Sequence, residues 1–372
     1  MHDQPLLTPV KLGPYTLKNR VVMAPMTRDR ADNPELAPTA MHAEYYAQRA
    51  SAGLIITEGS QISPQGMGYI NTPGIYSAAQ VKGWEQVTDA VHARGGRIFL
   101  QLWHVGAISH PDFHDGALPV SASAFNPNTK AYTPKGELKE TVAARPLEKH
   151  EIRQVVKDFA QGAKNAIAAG FDGVEIHGAN SYLIEQFLRD SSNQRTDEYG
   201  GSIPNRSRFL LEVVEAVSEA AGAERTGLRL SPANLWNVPA DSDTRALYDH
   251  AVAKLNGFGL AYLHLREAVG DSHSPAGDAH IPNMVTDVSR HYRGIFKGTL
   301  ITNTAYDQEK GNAVIATGDA DLVAYGVPFI ANPDLVERFR EGAPLAKADP
   351  ATFYSAGEKG YTDYPVRQAA AA

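Results

Sequence analysis

Short apolar runs recur along the chain and alternate with segments of helical spacing. The apolar runs have the length expected of buried strands, and the segments between most of them repeat apolar residues every three or four positions. Strands are therefore predicted at 21–26, 54–57, 98–102, 173–177, 227–230, 261–265, 299–302 and 322–325. Helices are predicted at 38–51, 78–94, 151–169, 204–220, 244–257, 307–316 and 333–340.

Alternation of strand and helix along the chain predicts an α/β protein with parallel strands and right-handed crossovers. Eight such units close a single (β/α)8 TIM barrel, and neither a linker nor a break in composition divides the 372 residues. The alternative is a doubly wound sheet, which places a glycine-rich phosphate turn after the first strand. The sequence there is Ala24-Pro25-Met26-Thr27-Arg28, so the barrel is favoured.

Three segments lie outside the repeating unit. Residues 10–18, with Gly13-Pro14 as the turn, predict an N-terminal β-hairpin that caps the barrel bottom. Residues 104–146 form the longest irregular connection, after the third strand, and long loops in compact domains are often lids. We expect one domain over residues 1–366 and a disordered tail over 367–372.

Composition narrows the class of partner. The absence of cysteine excludes disulfides, thiolate metal sites and a cysteine nucleophile. A formal charge of −7 without a basic block argues against nucleic acid, and no apolar run approaches the roughly 18 residues of a membrane helix. We expect no export signal, a cytoplasmic location, no membrane association and a small-molecule partner. The loop histidines His104, His110 and His114 lack metal-ligand spacing, so no metal is expected.

Polar residues alternate with apolar ones at the ends of several predicted strands. In Gly173-Val-Glu-Ile-His177 the apolar pair faces the helices, which leaves Glu175 and His177 inside the barrel. Gln101 and Arg229, each flanked by leucines, should also point inward. A buried arginine needs an anionic partner, either Glu175 or a bound anion. Gln101 taken alone is more often explained as a satisfied polar residue than as a ligand.

His177, Asn180 and Tyr182 place three hydrogen-bonding groups directly after the fourth strand. The first two can donate to one substrate oxygen, and the tyrosine, with a reference pKa near 10, can deliver a proton. Spacing alone leaves open a second interpretation, a capped strand-to-helix loop with a packing tyrosine.

Several longer motifs lie at residues 18–28, 44–53, 101–104, 170–177, 187–202, 330–335 and 360–365. Together they resemble the old yellow enzyme family of FMN-dependent ene-reductases, the group that includes N-ethylmaleimide reductase-like proteins. The similarity covers most of the chain.

The resemblance implies an oxidoreductase whose FMN, at the open end of a barrel, is reduced by NAD(P)H and reoxidised by activated alkenes. Arg229 would lie beside the flavin pyrimidine edge, where negative charge accumulates on reduction, and Thr27 and Gln101 would bond the ring. The implied cofactor-binding residues are Pro25, Met26, Thr27, Gly59, Gln101, Arg229, Asn303, Thr304, Ala305, Tyr325, Gly326 and Val327. Tyr69, Trp103 and Tyr354 would line the substrate pocket.

The resemblance also implies a mechanism for α,β-unsaturated carbonyl and nitro compounds, with nitroester reduction as an extension. His177 and Asn180 would bind the activating oxygen while hydride reaches the β-carbon. Tyr182 would protonate the α-carbon from the opposite face, giving net trans addition. Some family members have histidine where this chain has Asn180, and only histidine can carry charge near neutral pH.

The phosphate site departs from the family pattern. Barrels often bind phosphate with the loops after the seventh and eighth strands, here at 303–306 and 325–327. The family usually has arginine where Val327 stands, so we expect weaker retention of FMN rather than its loss.

Two other functions remain open at this point. A flavin barrel that oxidises 2-hydroxy acids would need arginines to clamp a carboxylate, and only Arg229 is evident at the mouth. A non-catalytic flavin-binding protein would be expected to lack the donors His177, Asn180 and Tyr182. The physiological substrate, the choice between NADH and NADPH, and the assembly as monomer or homodimer do not follow from the sequence.

Overall fold

Strands form the barrel at the centre of the molecule and three small two-stranded sheets outside it. The computed structural model describes residues 4–234, 236–268 and 283–367. The strands are β1 (Val10–Leu12), β2 (Tyr15–Leu17), β3 (Val21–Met23), β4 (Leu54–Gln61), β5 (Ile98–Trp103), β6 (Val120–Ser121), β7 (Lys130–Tyr132), β8 (Leu138–Glu140), β9 (Arg145–Pro146), β10 (Gly173–His177), β11 (Thr226–Leu230), β12 (Tyr262–Arg266), β13 (Leu300–Asn303) and β14 (Leu322–Tyr325).

The eight predicted strands form a closed parallel barrel, which confirms the predicted TIM-barrel fold. Its order is β3-β4-β5-β10-β11-β12-β13-β14, and β14 pairs with β3 to close the ring. The helices are α1 (Ala40–Gln48), α2 (Ala78–Ala93), α3 (Lys149–Ala168), α4 (Leu183–Leu188), α5 (Ile203–Ala221), α6 (Thr244–Leu255), α7 (Val288–Arg293), α8 (Gln308–Thr317), α9 (Val327–Ala331) and α10 (Leu335–Glu341). Helices α4, α7 and α9 have five or six residues, too few to show a helical period in the sequence.

Alternation along the strands separates two apolar layers, as the sequence predicts. Val174 and Ile176 pack in the layer between barrel and helices, together with the leucines that flank Gln101 and Arg229. A second, smaller cluster fills the barrel interior near its amino-terminal end. Side chains at successive strand positions point to opposite faces, so the polar residues between these apolar ones must face inward.

The predicted hairpin closes the bottom of the barrel. Strands β1 and β2 pair antiparallel, with Val10 opposite Leu17 and Leu12 opposite Tyr15. Leu12 and Leu17 belong to the interior cluster, which seals the amino-terminal end of the barrel with apolar side chains. The open end is therefore the carboxyl end of the strands, where barrel enzymes carry their sites.

Two strand boundaries differ from the prediction by more than one residue. Strand β3 ends at Met23, so Pro25 and Met26 lie in the loop that follows it. Strand β4 continues to Gln61, and its register with β5 shifts between Ile56 and Gly59. Such a bulge redirects a strand, and here it lengthens the rim of the mouth beyond what the apolar run indicated.

The long connection after β5 is not wholly irregular. Strands β7 and β8 form an antiparallel hairpin within it, and β6 pairs in parallel with β9. Tyr132, on β7, lies with its ring centroid 6.3 Å from that of Tyr69. The segment thus reaches the mouth, and its role as a lid stays a prediction.

At the carboxyl terminus, Arg367 bonds Asp334 and Glu341, with its backbone N–H donating to Asp334 over 2.8 Å. The remainder of the predicted tail, residues 368–372, lies outside the described residues, so the domain limits stay a prediction. Within the described ranges, the helices include none long and apolar enough to cross a membrane.

Candidate active site at the mouth of the barrel

Inward-facing polar residues of neighbouring strands meet near the carboxyl end of the barrel. Glu175 on β10 lies opposite Gln101 on β5, and His177 lies opposite Arg229 on β11. Arg229 in turn lies opposite His264 on β12. The residues predicted to face inward are thus brought together, along with a histidine that the sequence analysis did not select.

Glu175 is the buried anion of this layer. Its carboxylate accepts hydrogen bonds from Gln101 Nε2 and from His264 Nδ1, both at 2.8 Å. Burial alone would raise the pKa of Glu175, but the adjacent His264, Arg229 and Gln101 bring it below the ordinary value. An ionised carboxylate only accepts, so the Gln101 amide must present its NH2 group to Glu175, which leaves the amide oxygen available to a ligand.

Arg229 is buried but only partly satisfied. Its Nη2 donates to Asn303 Oδ1 at 2.8 Å, whereas its Nε, also buried, has no hydrogen-bond partner among the described residues. Burial lowers the pKa of Arg229 to about 10, against the raising effect of Glu175, so the guanidinium is charged at neutral pH. No carboxylate of the described chain lies within 4 Å of it. A buried donor without a partner fits a site that receives an anionic ligand.

The protonation state of His177 follows from its contacts. Burial, followed by the charges of Arg229 and His264, holds the pKa of His177 well below its ordinary value, so the imidazole is neutral. Its Nδ1 accepts the backbone N–H of Ala179 at 3.3 Å. In neutral imidazole one nitrogen accepts and the other donates, so the proton is on Nε2, which can donate to a ligand.

Asn180 is held in an uncommon backbone conformation. Its φ is 58° and that of Ser181 is 68°, both in the left-handed region that favours glycine. The backbone N–H of Asn180 donates to Ser231 Oγ at 2.8 Å, and that of Ser181 donates to the Glu185 carboxylate. Hydrogen bonds to buried side chains thus hold two consecutive residues in a strained backbone conformation.

Glu185 anchors this loop, and the residue spacing in the sequence did not indicate that role. Its fully buried carboxylate accepts from Arg189 Nη2 at 2.7 Å, from Ser231 Oγ at 3.2 Å and from the Tyr248 hydroxyl. Arg189 belongs to the 187–202 motif, so part of that motif supports the loop that carries Asn180.

Tyr182 lies in an aromatic group with His177, Trp103 and Tyr69. Its ring packs edge-on to His177 and to Trp103, with centroid distances of 4.9 and 5.0 Å. The hydroxyls of Tyr182 and Tyr69 are 3.0 Å apart. Burial and the neighbouring Tyr69 raise the pKa of Tyr182 well above its usual value, so it carries its proton throughout the neutral range.

Tyr354 is the least enclosed of the predicted pocket residues, with 59% of its surface exposed. The segment that carries it is tied to the barrel by Arg28, which donates to the carbonyl oxygens of Phe353 at 3.0 Å and Gly360 at 2.7 Å. Tyr361 adds a stacked contact with Tyr45 at 3.8 Å. The motif at 360–365 therefore holds the C-terminal segment against the loop after β3.

The predicted cofactor residues after β3 and in β4 line the same end of the barrel. Pro25, Met26 and Thr27 are half-buried and directly follow β3. At Gly59 an added Cβ would lie 2.7 Å from the Trp103 ring. Any larger residue at this position would displace Trp103, so the glycine is required by packing.

The two predicted phosphate loops differ in what they present. After β13, Thr304 and Ala305 have φ values of 88° and 61°, unusual for a β-branched residue followed by alanine. Such strain is typical of ligand-binding loops. After β14, the Tyr325 hydroxyl donates to the Asp307 carbonyl oxygen at 3.1 Å, so this side chain is not available to a phosphate. Gly326 and Val327 are the predicted residues left in this loop. The Val327 side chain is 56% exposed, with room for a longer one.

The position of Arg266 shows that one prediction from the sequence was wrong. Arg229 was expected to be the only arginine at the mouth, but Arg266 ends β12 and donates to Asn180 Oδ1 at 3.2 Å. The alternation rule used for Arg229 would have found it and His264, because Leu263 and Leu265 face the helices. The predicted strand ended one residue too early. Among the described residues, no group of three or more acidic or histidine side chains could hold a metal ion.

A barrel with charged residues and hydrogen-bond donors gathered at the carboxyl ends of its strands is typical of a barrel enzyme that binds a small molecule there. A family model described as "NADH:flavin oxidoreductase / NADH oxidase family" matches residues 5–346. The chain belongs to this family, that of the old yellow enzymes.

Individual relatives agree with this assignment. The chain is 46% identical over 368 residues to 12-oxophytodienoate reductase 1 of Oryza sativa subsp. japonica, covering 97% of this chain and 93% of the relative. It is 44% identical over 365 residues to a probable flavin mononucleotide-dependent alkene reductase of Leishmania infantum, covering 97% of each.

Solved structures are similarly close. The old yellow enzyme homologue from Zymomonas mobilis superimposes with a TM-score of 0.91 at 43% identity, over 97% of this chain and 99% of that one. Morphinone reductase in complex with tetrahydroNAD gives 0.90 at 46% identity, over 98% of each chain. This protein is therefore an FMN-dependent, NAD(P)H-reduced ene-reductase that acts on a small molecule.

Ser181 offers a test of the strain in the loop after β10. It is fully buried, its φ is 68°, and its hydroxyl has no partner among the described residues. We expect Ser181→Gly to raise the free energy of unfolding by about 1 kcal/mol, since relief of left-handed strain exceeds the entropy cost of glycine. Urea denaturation measures the change.

Ser181→Ala is the matched control, because it removes the unpartnered hydroxyl and keeps the Cβ. Glycine should be the more stable of the two. Equal stabilities would mean that the strain of the left-handed conformation does not exceed the entropy cost of glycine.

Proposed function

We propose that the protein reduces the C=C bond of α,β-unsaturated carbonyl and nitro compounds, with His177 and Asn180 binding the activating oxygen and Tyr182 supplying the proton. Nitroester reduction, a cytoplasmic location and the preference between NADH and NADPH stay predictions. What chiefly supports the proposal is the protonation of His177, whose Nε2 must donate because its Nδ1 accepts from Ala179.

Two neutral donors suit this substrate class. His177 Nε2–H and the Asn180 amide can bond one oxygen and draw electron density from the conjugated double bond. A neutral imidazole donates this hydrogen bond without adding a positive charge to the site. The lowered pKa of His177 keeps it neutral near neutral pH. Bound FMN supplies the hydride that the β-carbon receives.

Tyr182 suits the role of proton donor at the α-carbon. Its pKa, raised by burial and by Tyr69, ensures that the hydroxyl is protonated. The Tyr69 hydroxyl, 3.0 Å away, favours the protonated form of Tyr182, and the raised pKa of Tyr69, about 12, keeps Tyr69 itself neutral. Trp103 and His177 hold the Tyr182 ring from two sides.

The residues present also fit FMN. Arg229 would offer to the ring its buried Nε, which has no partner among the residues that the structure describes, and Gln101 would offer its amide oxygen. The loops at Asn303–Ala305 and Gly326–Val327 would hold the phosphate through backbone N–H groups. Pro328, which follows, contributes none.

The first test separates the two half-reactions. Tyr182→Phe should slow alkene reduction by about 100- to 10,000-fold, the usual value of general acid catalysis, while reduction of the flavin by NAD(P)H continues. Anaerobic mixing experiments would follow the loss of flavin absorbance with NAD(P)H and its return with 2-cyclohexenone.

Tyr15→Phe is the control, because Tyr15 bonds the Asp172 carbonyl at the closed end of the barrel. Unchanged enone turnover in Tyr182→Phe would remove the proposed role. Return of absorbance with pyruvate but not with the enone would instead favour 2-hydroxy acid chemistry.

The second test concerns the phosphate loops. Val327→Arg should tighten FMN binding roughly tenfold or more, since one charge-assisted hydrogen bond contributes about 1.5–3 kcal/mol. Fluorescence titration of the apoprotein with FMN gives the dissociation constant. Val366→Arg adds the same charge at an equally exposed valine (57%) and should change little. Equal affinities for Val327→Arg and the unsubstituted protein would refute the expectation.

A further inference from the structure

Arg266 lies at the rim of the barrel on the same inward face as His264. It is the last residue of β12 and pairs with Asn303 in the register of β12 and β13. Leu263 and Leu265, at the alternate positions, pack against the helices. The Arg266 guanidinium therefore lies at the mouth of the barrel, next to the loop that follows β10.

The contacts of Arg266 determine how the Asn180 side chain is turned. Arg266 Nη1 lies 3.2 Å from Asn180 Oδ1 and 3.2 Å from Asn234 Oδ1. A guanidinium only donates, so both carboxamides must present oxygen to it. The NH2 group of Asn180 then points away from Arg266, and this is the group that a substrate oxygen requires.

Without such a partner the Asn180 carboxamide would have no fixed orientation. Its backbone is anchored by Ser231 at 2.8 Å, but a carboxamide can turn by 180° at little steric cost because its oxygen and nitrogen are nearly the same size. Turned the other way, it would set an acceptor against the substrate oxygen. The Trp236 ring, 5.9 Å from the Arg266 guanidinium, adds a cation–π contact that restrains Arg266 itself.

We propose that Arg266 is a positioning residue that acts through Asn180, holding its carboxamide so that the NH2 group faces the substrate. The proposal rests on the function proposed for Asn180. Arg266 touches neither the reacting atoms nor the cofactor in this role; it decides only which end of the Asn180 amide is offered.

A double-mutant cycle on the FMN-loaded enzyme tests this proposal. Arg266→Met and Asn180→Ala should each lower kcat/KM for 2-cyclohexenone by about threefold to tenfold, the value of one hydrogen bond. The double variant should be no slower than Asn180→Ala alone, because Arg266 has nothing left to position. Losses that multiply would overturn the proposal, since Arg266 would then act independently of Asn180.

Binding provides a readout independent of turnover. Cyclohexanone keeps the carbonyl and lacks the double bond, and its dissociation constant can be measured from the perturbation of flavin absorbance. Arg266→Met should weaken this binding in the presence of Asn180 and leave it unchanged in the Asn180→Ala background. Weakening of equal size in both backgrounds would again overturn the proposal.

Arg245→Met is the matched control, because it removes the same charge from an exposed position on α6. It should leave both measurements unchanged. If Arg266→Met does not accumulate as folded, FMN-bound protein, Arg266→Leu, which likewise has no donor, takes its place in the cycle with the same criteria.

The two proposals fail in different ways. Full activity of Asn180→Ala would remove the proposed contact between Asn180 and substrate, and the positioning role with it. A slow Asn180→Ala variant combined with multiplying losses would leave the proposed function intact and remove only the role of Arg266.

Discussion

The ionised carboxylate of Glu175, enclosed in the barrel, is the charge on which the arrangement of the mouth depends. A buried carboxylate is stable only when it is paired and fully hydrogen-bonded. Gln101 and His264 supply those bonds, and Arg229 supplies nearby positive charge. Since Glu175 is occupied by these two donors, Arg229 bonds Asn303, and its Nε has no partner within the described part of the chain, which leaves a cation available to an anionic ligand.

Charged neighbours also determine what the two amides at the mouth can offer. Glu175 takes the NH2 group of Gln101, so that amide presents its oxygen, whereas Arg266 takes the oxygen of Asn180, so that amide presents its NH2 group. A side-chain amide has no intrinsic preference between these states. The same chemical group, a carboxamide, thus provides an acceptor at Gln101 and a donor at Asn180. The difference arises because the neighbouring charge is negative in the first case and positive in the second.

Backbone strain is concentrated at the same end of the barrel. Asn180 and Ser181 after β10, and Thr304 and Ala305 after β13, are consecutive non-glycine residues with positive φ. Conformations of this kind persist where the surroundings impose them. After β10 the surroundings are known in detail, since the buried Glu185 carboxylate holds the loop through its backbone. Strain and anchor together place the donors of this loop against the aromatic group.

The sequence by itself determined the eight-stranded barrel and the inward direction of Glu175, His177 and Arg229, because strand alternation has a period of two and is a local property. The same rule applied one residue further would have revealed Arg266. Only the tertiary structure decided which partners these groups have across the barrel and which end of each amide is exposed. Those outcomes depend on contacts between strands far apart in the chain, such as the 74 positions that separate Arg229 from Asn303, and no local pattern encodes them.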